Sequence, residues 1–165
     1  MTTSILLSKE LKDILATKNI SISEYKPAYE SAGLDLYCTD HGVVTLEPLS
    51  RDTSIENYKR LINTGLRVHI PHGHVGIIQE RGSIVKTTLK VRAGIIDPGY
   101  SGVVFVNCVN IGDSPLNFFY GDKLPFQLIV VPCNNIFLSV TEDQFDQLHQ
   151  NSQRKEGKIG SSDKR

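Results

Sequence analysis

The chain has 165 residues, and its 18 Lys+Arg cancel its 18 Asp+Glu, so no overall field recruits nucleic acid or an anionic surface, and any anion site must be local. That length fits one compact domain with a sizeable core. Three widely spaced cysteines among apolar neighbours argue against a disulfide framework or a zinc site; with no basic-then-apolar leader and no apolar run of bilayer length, a soluble, intracellular protein without a membrane partner is expected.

Residues 8–18 place Leu11, Ile14 and Leu15 at helical spacing behind Ser8, which predicts a short N-terminal helix. Helix signals then nearly vanish. Short β-prone runs follow at Leu34–Cys38, Val43–Leu46, Leu66–Ile70, Val75–Glu80, Ile84–Val91, Gly102–Val109, Leu116–Phe119, Leu124–Val131 and Ile136–Val140, punctuated by Gly, Pro, Asn and Asp. This is the cadence of an all-β sandwich or barrel.

Two of these runs, Gly102–Val109 and Leu128–Val131, are apolar on both alternating faces, so a second sheet or a neighbouring subunit must cover them. A jelly-roll in a symmetric oligomer meets that demand. Pro125 removes a ladder donor from its strand, which is expected at a sheet edge or a bulge. Residues 141–150 begin Thr-Glu-Asp-Gln, the signature of a capped helical turn. From Gln153 to Arg165 the chain carries five basic and two acidic residues with Ile159 as its sole large apolar side chain, a tail that cannot order itself. The organisation expected is a single β domain over 1–150, with an N-terminal extension of about 20 residues, and a flexible arm over 151–165.

The central bend reads Ala-Gly-Ile-Ile-Asp-Pro-Gly-Tyr-Ser-Gly from Ala93 to Gly102. A carboxylate between Ile96 and the rigid Pro98-Gly99 turn is poorly explained as a solubilising charge, so Asp97 is the first candidate for chemistry. The bland reading is a hairpin turn in which Asp97 bonds to its own backbone. Four other segments combine glycine, a single charge and small hydroxyls: Ser31-Ala-Gly-Leu-Asp-Leu36, Glu80-Arg-Gly-Ser-Ile84, Gly121-Asp-Lys-Leu-Pro-Phe-Gln-Leu128, and Arg154-Lys-Glu-Gly-Lys-Ile-Gly-Ser-Ser162.

In this order and at these intervals the five segments resemble the motifs of the trimeric deoxyuridine triphosphate nucleotidohydrolases, the dUTPases, from about Ala28 to Ser162. The resemblance implies an all-β, jelly-roll-like distorted barrel with a short N-terminal helix and a flexible C-terminal arm closing the site. It implies hydrolysis of dUTP to dUMP and pyrophosphate by attack of water on the α-phosphorus, an activity that limits uracil in DNA and supplies dUMP for dTMP synthesis. Asp97 would hold and deprotonate the water. Mg²⁺ would ride on the triphosphate with no direct protein ligand, Asp35 reaching it through water or orienting the phosphate-binding arginine. Arg81, the Gly82 backbone and Ser83 would grip phosphate oxygens, and Gln127 would donate to a phosphate or to the water.

Tyr100 would lie against the deoxyribose and exclude a 2′-hydroxyl, while main-chain groups from Val91 to Ile96, approached closely at Gly94, would read uracil. In the arm, Arg154, Gly157, Gly160, Ser161 and Ser162 match the fifth motif, whereas Ile159 replaces its aromatic residue and can supply only an aliphatic lid. Gly82 stands where a serine is usual, and Glu80 where a proline is common. The resemblance also implies a homotrimer whose sites are shared between subunits.

Two other functions fit parts of the pattern. A dUTPase-derived binding or signalling module would retain the trimer without turnover. A dCTP deaminase would share the architecture, but needs an acid that the strand after Gly102 does not supply before Asp113. His69-Ile-Pro-His-Gly-His74 reads as a strand–turn–strand connection rather than a metal site, Cys108 as core, and Phe118, Phe119 and Tyr120 as core or subunit contact rather than a nucleic-acid surface.

Overall fold

The structure, a computed structural model, describes residues 3–27, 31–49, 61–134 and 139–151. It falls into two compact units, Met1–Asn134 and Asn135–Arg165. Among the described residues the first contains ten strands: β1 (Ser4–Leu7), β2 (Leu34–Tyr37), β3 (Val44–Leu46), β4 (Leu61–His69), β5 (His74–Glu80), β6 (Leu89–Arg92), β7 (Ile95–Ile96), β8 (Val103–Asn110), β9 (Leu116–Phe118) and β10 (Lys123–Pro132). They form two four-stranded sheets, ordered β1-β4-β8-β6 and β2-β10-β5-β7, and a ribbon of β3 and β9. All these pairings are antiparallel. The architecture is all-β and jelly-roll-like, with distorted sheets that form no closed barrel among the described residues.

One helix, α1 (Lys9–Thr17), begins where Ser8 accepts a hydrogen bond from the Leu11 amide at 3.2 Å, and buries Leu11, Ile14 and Leu15. Those three side chains join the core made by Leu36, Ile62, Leu66, Val104, Val106 and Phe126 from both sheets. On β8 the even positions from Val104 to Asn110 are buried while Val103, Phe105, Asn107 and Val109 are only partly covered. The second apolar face of this strand therefore stays accessible within one chain.

Three expectations are corrected or refined. The run Ile84–Val91 is not one strand: Gly82–Lys86 is a 3₁₀ turn, closed by the Thr87 amide and hydroxyl on the Ile84 carbonyl at 2.8 and 3.0 Å, and only Leu89–Arg92 pairs. Val85 is 82 % exposed, so its hydrophobicity never belonged to an inward strand face. Leu66–Ile70 is the end of a longer strand that starts at Leu61, and Ser4–Leu7 is an unforeseen strand on its edge. β10 lies inside its sheet, but its register against β2 slips between Lys123 and Gln127, so Pro125 sits in a bulge.

In the second unit, α2 (Glu142–Asn151) opens with reciprocal bonds between Thr141 and Gln144, a capping box at 2.9 and 3.3 Å. Most of the run Ile136–Val140 and the whole arm from Gln153, including Arg154, Ile159, Gly160, Ser161 and Ser162, lie outside the described residues.

Candidate active site

The chain leaves the first sheet at Arg92 and enters the second at Ile95, so Ala93 and Gly94 form the step between them. Ala93 adopts a left-handed φ of 46°, and Gly94 presses so closely on β5 that a Cβ would lie 2.6 Å from the Ile78 carbonyl oxygen. The Gly94 carbonyl in turn accepts from the Ile78 amide at 2.7 Å. Immediately beyond β7, Asp97-Pro98-Gly99-Tyr100 closes a turn in which the Tyr100 amide donates to the Asp97 carbonyl at 3.2 Å. Pro98 presets its second residue and Gly99, at φ 82°, supplies the left-handed third residue.

That turn leaves the Asp97 side chain exposed at the wall of a cavity of about 330 Å³, which it shares with Ala93, Ile96 and Tyr100. The Tyr100 ring is held by its hydroxyl, which donates to the Val103 carbonyl at 2.8 Å, and lies over Gly102, where a Cβ would meet the ring at 2.8 Å. Arg67 supports the same loop by donating to the Ser101 carbonyl at 2.6 Å. Phe105 and the strongly exposed Ile95 complete the apolar part of the cavity.

A second group gathers around Asp35 on β2. One carboxylate oxygen pairs with Arg81 Nε at 2.7 Å and the other with Lys123 Nζ at 2.5 Å, all three side chains being partly exposed. Gln127 is directly opposite Asp35 in the β2–β10 register and donates its amide to the Glu80 carbonyl at 3.3 Å. The Arg81 amide donates to the carbonyl of Pro125 in the bulge, and Gly82 and Ser83 follow on the exposed 3₁₀ turn. Glu80 turns away from this group: its carboxylate accepts from the Val91 amide at 3.2 Å and faces Lys90 at 3.4 Å.

The described candidates thus assemble in two places. Asp97, Gly94, Ile96 and Tyr100 surround or adjoin the cavity, whereas Asp35, Arg81, Gly82, Ser83 and Gln127 cluster at the far end of β5. Continuing the β5–β7 register past Gly76–Ile96 sets Asp97 level with Val75, so the run from Val75 to Arg81 separates Asp97 from Arg81 by about 20 Å along the strand, while Gly94 lies level with Ile78, nearer the second group. Sequence reasoning missed Lys123, Phe105, Gly102 and Arg67. Lys123 was available as a lone cation inside the fourth segment, but its partner emerges only from strand register.

Other candidates resolve differently. Cys108 is buried and burial pushes its thiol up to about 12, as it pushes Cys38 up to about 11, so neither is a nucleophile near neutral pH. His69 and His74 bracket a strand–turn–strand connection, with the His74 amide donating to the Pro71 carbonyl at 3.2 Å. Phe118 packs against the core, while the exposed Tyr120 stacks on His41 with ring centres 5.2 Å apart. Among the described residues, no group of three His, Cys, Asp or Glu could hold a metal, and no helix is long and apolar enough to cross a membrane.

Comparison with known proteins adds an independent line. A family model described as dUTPase matches residues 18–163. The deoxyuridine 5'-triphosphate nucleotidohydrolase of Wolbachia pipientis subsp. Culex pipiens is 30 % identical over 156 residues, covering 93 % of this chain and 94 % of that one. Its counterpart in Anaeromyxobacter sp. (strain Fw109-5) is 37 % identical over 128 residues, 71 % of this chain and 76 % of that one. Among solved structures, a mutant dUTPase of Staphylococcus bacteriophage 80alpha with dUpNHpp superposes at a TM-score of 0.72 and 23 % identity, covering 98 % of each chain. A mutant dUTPase from phage phi11 of S. aureus, described with a structural Mg(II) ion, superposes at 0.63 and 24 % identity over 86 % of this chain and 97 % of that one.

Proposed function

The chain belongs to the dUTPase family, and we propose that it hydrolyses dUTP to dUMP and pyrophosphate inside the cell, limiting uracil in DNA and supplying dUMP for dTMP synthesis. The observation that carries this reading is the cavity in which the Asp97 carboxylate and the Tyr100 ring share one wall. Asp97 accepts a proton from a water lying in line with the α-phosphorus; the water oxygen bonds to phosphorus as the bond to the bridging oxygen breaks and pyrophosphate leaves. Carboxylates are weak bases near neutral pH, so most of the acceleration comes from holding the water and the phosphates in place. The tethered Tyr100 ring limits space beside the sugar, and the main chain at Gly94 offers fixed donors and acceptors to uracil.

Arg81, the Gly82 amide, Ser83 and Gln127 hold phosphate oxygens. Mg²⁺ carried on the triphosphate would neutralise charge developing on those oxygens. The donor set fits a cation held by the substrate: both oxygens of Asp35 are engaged by Arg81 and Lys123, leaving lone pairs for a metal-bound water rather than an open chelate.

The separation of about 20 Å along β5 between Asp97 and Arg81 is too great for both residues of one chain to act on the same phosphorus. A homotrimer joins the cavity of one subunit to the Asp35–Arg81 cluster of another, with the arm of residues 151–165, carrying Arg154, Ile159, Gly160, Ser161 and Ser162, closing over both. The partly covered apolar face of β8 supports contact between copies.

Pyrophosphate release from dUTP, UTP, dTTP and dCTP, with and without Mg²⁺, tests this directly. Only dUTP is turned over at an appreciable rate, and Asp97→Asn lowers kcat by about 10²–10⁴-fold while retaining affinity for a non-hydrolysable dUTP analogue. Undiminished turnover by Asp97→Asn, or ammonia released from dCTP, would overturn it.

A further inference from the structure

We propose that Tyr25 is a positioning residue for this reaction, fixing Asp35 from behind by holding its backbone; the inference rests on the phosphate-side role given to Asp35 above. The Tyr25 hydroxyl donates to the Asp35 carbonyl at 2.6 Å, joining a residue of the N-terminal segment to the peptide that carries the carboxylate. β2 is only four residues long and, among the described residues, lies at the edge of its sheet with β10 its one paired neighbour. The register against β10 slips next to Asp35, so the ladder by itself holds this point loosely. A second tie is needed where a carboxylate must keep two cations, Arg81 and Lys123, at 2.7 and 2.5 Å.

The residue supplying that tie is itself rigid. Tyr25 ends a 3₁₀ turn, Ile22–Glu24, whose start is fixed by the Glu24 carboxylate accepting from the Ser21 amide at 3.0 Å and hydroxyl at 2.7 Å. Its amide bonds to the Ser21 and Ile22 carbonyls, and its ring packs against Tyr37, centre to centre 6.2 Å. Tyr37 is two residues beyond Asp35 on β2, pairs in register with Lys123, and carries Lys18 over its own ring at 5.6 Å. The end of α1, the aromatic pair and β2 therefore act as one brace behind the ion pairs. Tyr25 is 5 % exposed, and burial, reinforced by Tyr37 and Asp35, raises its phenol, so the hydroxyl remains a donor throughout any assay range.

Because Tyr25 reaches the candidate site through the Asp35 backbone rather than through any group placed on substrate, a merely structural role and a positioning role separate in kinetics. The test compares the full-length protein with Tyr25→Phe, Asp35→Asn and the double variant, measuring kcat, KM for dUTP and the Mg²⁺ concentration giving half-maximal rate. Active sites are titrated with a non-hydrolysable dUTP analogue, so that a fall in the folded fraction does not enter kcat. Tyr25→Phe keeps the ring packing and loses one hydrogen bond; kcat drops about 2- to 10-fold, the Mg²⁺ requirement rises, and KM stays within about twofold because the Asp97–Tyr100 cavity is untouched. In the Asp35→Asn background the same substitution has no further effect on kcat, since its influence passes through Asp35. An unchanged kcat in Tyr25→Phe, or an equal drop in both backgrounds, would overturn the proposal while leaving the site reading intact. An unchanged kcat in Asp35→Asn overturns the role of Asp35, and the positioning role with it.

Discussion

At the scale of single residues, the departure at Gly82 has a clear structural meaning. A Cβ at this position meets nothing within 4 Å, so the site is open and a side chain adds no clash. Gly82→Ser would place a hydroxyl between Arg81 and Ser83, on the exposed side of the turn where a phosphate oxygen is expected. The predicted outcome is a KM for dUTP lower by about 2- to 10-fold, the worth of one net hydrogen bond, with an unchanged melting temperature; an equal or higher KM would show that no phosphate passes this turn. The placement of Asp97, Tyr100 and Arg81 was legible because each stands in a local turn or at a strand end written in adjacent residues. Lys123 and Gly102 were not, because what makes them matter is a partner supplied by register or by a folded ring, neither of which leaves a trace in local spacing. Glu80 shows the reverse: it stands at a motif position in the chain, yet its carboxylate serves as a clasp between β5 and β6.

At the scale of elements, the step from β6 to β7 carries a geometric demand set by backbone against backbone. Gly94 brings β7 against β5 so closely that a methyl group would meet the Ile78 carbonyl, a backbone atom unable to swing aside. Gly94→Ala must push β7 away, weakening the bond between the Ile78 amide and the Gly94 carbonyl and opening the cavity wall at Ile96. The cost is about 1–3 kcal/mol, read as a lower melting temperature, together with weakened binding of a dUTP analogue by calorimetry; normal values of both would mean that uracil is not read at this bend. Most strands were recognisable because short apolar runs alternated with Gly, Pro and Asn. Ile84–Val91 misled because Ile84 and Val85 sit on a 3₁₀ turn, where apolar side chains need not face inward. Ser4–Leu7 escaped because four residues give too little periodicity to separate a strand from the approach to a helix.

At the scale of the whole molecule, the distance between the two groups of candidate residues becomes a statement about assembly. If Asp97 comes from one subunit and the closing arm from another, defects in different chains can complement. A chain ending at Gln150 lacks the arm but keeps Asp97, and a full-length Asp97→Asn chain keeps the arm but lacks the base; each alone is nearly inactive. In a random equal mixture of subunits within trimers, about one site in four draws its Asp97 from the first and its arm from the second. Co-refolding the two chains with different affinity tags and purifying through both tags selects mixed trimers, whose pyrophosphate release rises well above that of either parent. Mixed trimers as inactive as their parents would mean that base and arm act in the same chain, and the joining of half-sites across subunits would have to be abandoned. The apolar second face of β8 pointed to a covering neighbour from sequence alone, but only strand register sets Asp97 and Arg81 toward opposite ends of β5, which is the ground for proposing that such a neighbour shares in the chemistry.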